Sequence, residues 1–69
     1  MKLNITFVDE NLQPISREEH ELDFVPQVNQ VLKLVVDSQE IQYRVLSLGG
    51  GEQGGKFTPS IATLQKIWI

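Results

Sequence analysis

Two short stretches hold the residue types from which chemistry could be built. "LGGGEQGGKFTP", Leu48 to Pro59, sets Gly50, four residues, Gly55 and Lys56 in the order of a phosphate-binding loop. "EEHE", Glu18 to Glu21, groups the single histidine with three carboxylates. The first could cradle an anion with backbone N–H groups. The second could hold a cation or exchange a proton.

Neither stretch completes its chemistry. A phosphate loop needs a Ser or Thr on magnesium after the lysine, and a helix N-terminus behind the anion. Phe57 occupies the magnesium-ligand position, and Thr58-Pro59-Ser60 favours extended chain. The parallel α/β sheet that carries such loops does not fit in 69 residues. Nucleotide hydrolysis is excluded. What remains is predicted to be a flexible connection across Gly49–Gly55, because glycine loses the most freedom on ordering. An alternative use is a lip closing over a small anionic ligand, such as a nucleotide, at a subunit boundary. The N–H groups of Gly50, Gly51, Gly54 and Gly55 would face the anion, and Lys56 and Arg44 would neutralise it. Tyr43 or Phe57 would stack on a base. Glu52, in the middle of the run, opposes that use.

In "EEHE", strand alternation leaves only Glu18 and His20 on one face, too few ligands for a firm metal site. The chain has no cysteine, so thiolate zinc sites and disulfides are excluded. Ser16, Ser38, Ser47 and Ser60 lack a nucleophile-elbow context. Paired carboxylates on an exposed strand would keep untuned acidities. The expectation is a binding protein with no catalytic residue, metal or cofactor.

Charge indicates what it would bind. The net charge is −3, unevenly distributed. Residues 1–23 set Lys2 and Arg17 against six carboxylates, a net −4, whereas residues 24–69 carry four basic and three acidic side chains, a net +1. An acidic first third repels nucleic acid and attracts a basic protein surface. Glu18, Glu19 and Glu21 are the residues expected to meet it. The longest uncharged apolar run, Leu34 to Val36, is far too short to span a membrane, and no signal-peptide pattern is present. A cytoplasmic location is expected, with no membrane partner.

The elements that must position these residues are strands. "KLNITFV" alternates, with Leu3, Ile5 and Phe7 apolar and Lys2, Asn4 and Thr6 polar. "ISREEHELDF" carries a possible capping box, Ser16 and Glu19, but Pro26 follows too soon for a stable helix. The preferred reading pairs it with the first strand as a hairpin, with Glu18, His20, Leu22 and Phe24 on one face. "VLKLVV", Val31 to Val36, is apolar on both faces apart from Lys33, which predicts a covered, central strand. After the turn "DSQE", "IQYRVLSL" puts Ile41, Tyr43 and Val45 on one face and Arg44, Leu46 and Leu48 on the other. "SIATLQKIWI" is the last strand, with a bulge expected near "LQKI". In "KIWI" a regular strand aims Trp68 one way and Ile67 and Ile69 the other. Unless a bulge or a tucked-in end buries both faces, Trp68 or the isoleucine pair is predicted to anchor a second subunit or partner.

Residues 23–48 add a resemblance. Phe24, Val25, Pro26, Val28 and Val31, followed after a turn by Tyr43 and Val45, resemble the Val-Pro-x-Val and Tyr-x-Val runs of small SH3-like barrel proteins, many of them phage-encoded. The chain departs from that pattern at Asn29-Gln30, where Gly-Asp is usual. The resemblance implies a barrel and a phage accessory or inhibitory protein in the host cytoplasm, and brings no catalytic residue. Residues 1–69 are therefore expected to form one domain, a five-stranded antiparallel SH3-like barrel or meander. It would act as a non-catalytic protein-interaction module that self-associates through its C-terminal strand. A structural virion or assembly component is a further alternative.

Overall fold

The computed structural model describes residues 1–67, Gln53 by its backbone alone. Five strands form one sheet: β1 (Lys2–Val8), β2 (Pro14–Glu21), β3 (Val31–Val36), β4 (Gln39–Gln53) and β5 (Lys56–Lys66). The sheet order is β2-β1-β5-β4-β3, and the sheet curls into a half-barrel. The all-β expectation holds. The antiparallel meander does not, because β1 pairs with β5 in parallel, Asn4 against Ile61 through Val8 against Gln65. Among the described residues no helix is long and apolar enough to cross a membrane.

Alternation builds the concave face. Leu3, Ile5 and Phe7 from β1 meet Leu32 and Leu34 from β3, Tyr43 and Val45 from β4, and Ala62 and Leu64 from β5. Leu22 and Pro26, in the connection after β2, are buried as well. β2 is a strand paired to β1, Lys2 against Glu21 through Phe7 against Ser16, and not a capped helix. The turn between them is held by Asp9, whose Oδ1 accepts the N–H groups of Asn11 at 2.8 Å and Gln13 at 2.9 Å.

β3 corrects the reading of "VLKLVV" as a covered strand. It is an edge strand, paired only to β4, with Leu32 and Leu34 buried and Val31 and Val35 exposed. Its turn into β4 is two residues, Asp37 and Ser38, both at positive φ (52° and 66°), the type I′ geometry that follows strand twist. The bulge expected near "LQKI" also lies elsewhere, since Leu64, Gln65 and Lys66 pair regularly with Val45, Arg44 and Tyr43. One irregularity leaves Leu46 unopposed and shifts the phase of β4, so that Leu48 packs against the core. A second leaves Ser60 unopposed, beside the buried Pro59, and a bulge is where a strand tolerates proline.

The glycine run is likewise not a flexible connection. Gly49, Gly50 and Gly51 are rungs of the β4–β5 ladder, opposite Ile61, Pro59 and Thr58. A Cβ on Gly50 would lie 2.2 Å from the Thr58 carbonyl oxygen, and one on Gly49 would lie 2.7 Å from the Ile61 side chain. Gly54 and Gly55, at φ 62° and 79°, form another two-residue type I′ turn. Close packing accounts for Gly49 and Gly50, and turn geometry for Gly54 and Gly55, without any ligand.

Candidate functional site

Curling the sheet without pairing β2 to β3 leaves a mouth along the concave side. Inner-face residues of β2 form one wall and the β3–β4 hairpin forms the other. The hollow is about 420 Å³ and is lined by Phe7, Glu18, Asp37, Ile41, Tyr43 and Lys66 among others. Its floor is aromatic: the Phe7 ring lies 4.7 Å from that of Tyr43 and 5.7 Å, edge on, from that of His20. Tyr43 is 3% exposed, and its hydroxyl makes no hydrogen bond to any described residue. Burial raises the pKa of that hydroxyl above its ordinary value of 10.0, with the Glu18 and Asp37 charges adding to the effect in that order. The His20 Nε2 is buried without a hydrogen bond, 3.5 Å from Glu18 Oε1. Ser16 donates to the other oxygen of Glu18 at 3.4 Å. The mouth therefore combines a base of buried aromatic side chains, two carboxylates on opposite walls and the Tyr43 hydroxyl, whereas His20 packs behind Phe7 and does not line it.

Only part of the acidic group expected from the sequence reaches this place. Glu18 lines the mouth, whereas Glu19 and Glu21 point from the outer face of the same edge strand, opposite Asn4 and Lys2. Glu21 already accepts the amine of Met1 at 3.2 Å. The three carboxylates thus flank one sheet edge from both faces. Trp68 and Ile69, expected to anchor a second subunit, lie outside the described residues. β5 itself is paired on both sides between Ile61 and Gln65, so it offers no free edge there.

The residues proposed for an anion under the glycine run are not brought together. Tyr43 belongs to the concave face, and Arg44, its neighbour, points to the outer face by alternation. Lys56 and Phe57 sit at the far end of the β4–β5 hairpin, about 30 Å from Tyr43 at the usual rise per strand residue. Gly50 and Gly51 are in the ladder, and Gly54 and Gly55 form the turn. Phe57 is 49% exposed, and Phe24, expected on the inner face with Glu18, His20 and Leu22, is 42% exposed.

A second hollow, about 460 Å³, lies on the outer face between Thr6, Arg17, Ser47, Gly49 and Ile61. Arg17 is its one charged lining residue, and no buried polar atom without a hydrogen bond faces it. The mouth is the better candidate because it brings two carboxylates from opposite walls to the Tyr43 hydroxyl, which has no hydrogen bond to any described residue. Sequence reasoning missed Asp37, which was read only as a turn residue. Its facing of Glu18 depends on the sheet's curl, for which no local signal exists. No protein-family model matches the chain, and no curated protein or solved structure is detectably similar to it.

Proposed function

We propose that the protein is a non-catalytic interaction module that meets a basic partner protein with its acidic edge. The observation that carries this reading is the place of β2. The strand bearing Glu18, Glu19 and Glu21 is the last in the sheet, paired on one side only. Carboxylates along such an edge discourage pairing with a second acidic edge and favour approach by lysine and arginine. Glu19 has no partner among the described residues, so its charge is available to a partner. The −4 charge of residues 1–23 extends the attraction beyond the edge itself.

The test uses a fluorescein-labelled peptide of alternating arginine and glycine, followed by anisotropy at low and high salt. Binding should weaken steeply with salt. The triple change Glu18→Gln, Glu19→Gln, Glu21→Gln should weaken it by about tenfold, as expected from three exposed charges each worth up to about 1 kcal/mol. A control with the same net charge, Glu10→Gln, Glu40→Gln, Glu52→Gln, should bind nearly as well as the unaltered protein. Equal losses in the two triple variants would reduce the effect to bulk charge and remove the edge from the account.

A further inference from the structure

The mouth has features that an acidic edge alone does not need. Its floor is a pair of touching rings, Phe7 and Tyr43, inside the core. Glu18 on one wall and Asp37 on the other are supplied by the two opposite edges of the sheet. Between them Tyr43, a side chain more than nine-tenths buried, lines the hollow, and its hydroxyl has no hydrogen-bond partner among the described residues. Lys66 also lines the mouth and has an interaction of its own. Against Glu18 and Asp37 it leaves the charged lining at −1.

We propose that this mouth is a socket for one arginine side chain of the basic partner, its guanidinium held between Glu18 and Asp37 beside the Tyr43 hydroxyl. The inference rests on the reading of the protein as a module for basic partners, and deepens it by naming the group that is captured. A guanidinium is planar, always charged and carries five N–H donors in a fixed fork. Two carboxylates and a phenolic oxygen supply acceptors around that fork. The buried Phe7 and Tyr43 rings form a closed apolar base beneath it. A volume of about 420 Å³ accommodates a single side chain and its head group. An ammonium would use the same charge but has no planar fork to divide between the two carboxylates. A carboxylate or phosphate would be repelled by Glu18 and Asp37.

The experiment titrates N-acetylarginine amide into the unaltered protein and follows the ring signals of Tyr43, Phe7 and His20 by NMR. Saturable shifts of the Tyr43 and Phe7 signals are expected with the arginine amide. Shifts at least tenfold weaker are expected with the citrulline amide, which keeps the shape and loses the charge. Glu18→Gln and Asp37→Asn, made separately, should each lower the affinity several-fold, while Glu52→Gln, at the far end of the β4–β5 hairpin, should leave it unchanged. Asparagine tolerates the positive φ of position 37, so that variant keeps the turn. Unmoved Tyr43 and Phe7 signals, or equal response to citrulline, would overturn the socket. Equal affinity for the lysine amide would overturn its guanidinium preference. The two readings fail separately. If the arginine–glycine peptide binds through Glu19 and Glu21 while Tyr43 stays silent, the edge survives and the socket falls. If the amide binds and the peptide shows no dependence on the edge, the reverse holds.

Discussion

Tyr43 shows how one residue can serve the core and the surface together. Its ring packs on Phe7, while its hydroxyl faces an open hollow beside Glu18 and Asp37. Burial and those carboxylates disfavour the phenolate in the folded state, so the folded hydroxyl releases its proton at higher pH than the unfolded one. The unfolded chain therefore binds fewer protons above pH 10, and stability declines as pH rises past that point. Below it this hydroxyl has no effect on the pH dependence. Tyr43→Phe should remove the corresponding part of the alkaline decline. The stability difference between variant and native protein should shift in favour of the variant by up to about 1.4 kcal/mol per pH unit between the unfolded and folded pKa. Urea midpoints at pH 8, 10 and 11 would measure it. Parallel curves for the two proteins would show that the hydroxyl is not held in the setting described.

At the scale of the element, the β4–β5 hairpin makes opposed predictions for adjacent glycines. Gly50→Ala pushes a Cβ into the Thr58 carbonyl and the Pro59 backbone, which cannot move aside as a side chain could. The cost expected of such overpacking is about 1–3 kcal/mol. Gly51 has open space around its Cβ position and no positive φ, so Gly51→Ala should stabilise by about 0.5–1 kcal/mol through the unfolded chain. Thermal melts of the two variants would check both signs, with a shift of roughly 4–8 °C per kcal/mol at this size. The hairpin also shows where sequence reasoning runs out. Alternation in Leu3, Ile5 and Phe7, and in Glu18 and His20, reported faces correctly because each strand has one buried side. Glycines have no side chain to alternate, so a ladder built from them reads as loop. "VLKLVV" reads as central because the exposure of Val31 and Val35 follows from strand order, which no local pattern encodes. The carboxylates of the site were visible as charges. Their division between the mouth and the outer face required β2 to be a strand, and the opposition of Asp37 to Glu18 required the curl.

For the whole molecule, the two free edges have different chemistry. β2 carries acids, whereas β3 exposes Val31 at 47% and Val35 at 65% with Lys33 between them. A lysine in the middle of an apolar edge is a common guard against edge-to-edge pairing. Lys33 lies 3.9 Å from Glu40, but both side chains are largely exposed and the pair adds little stability. Lys33→Val should therefore leave the melting temperature nearly unchanged. It should drive concentration-dependent association, visible as a rising mass in light scattering, while Lys33→Glu should behave as the native chain does. Association by neither variant, or by both, would remove the guarding role. The parallel pair in the centre of the sheet has a different consequence. Asn4 of β1 waits for Ile61 of β5, 57 residues later. During synthesis on a ribosome, Leu3, Ile5 and Phe7 emerge early with only β2 beside them. Their other neighbour arrives once the tunnel has released β5, so the half-barrel closes after translation of that strand and not progressively with it.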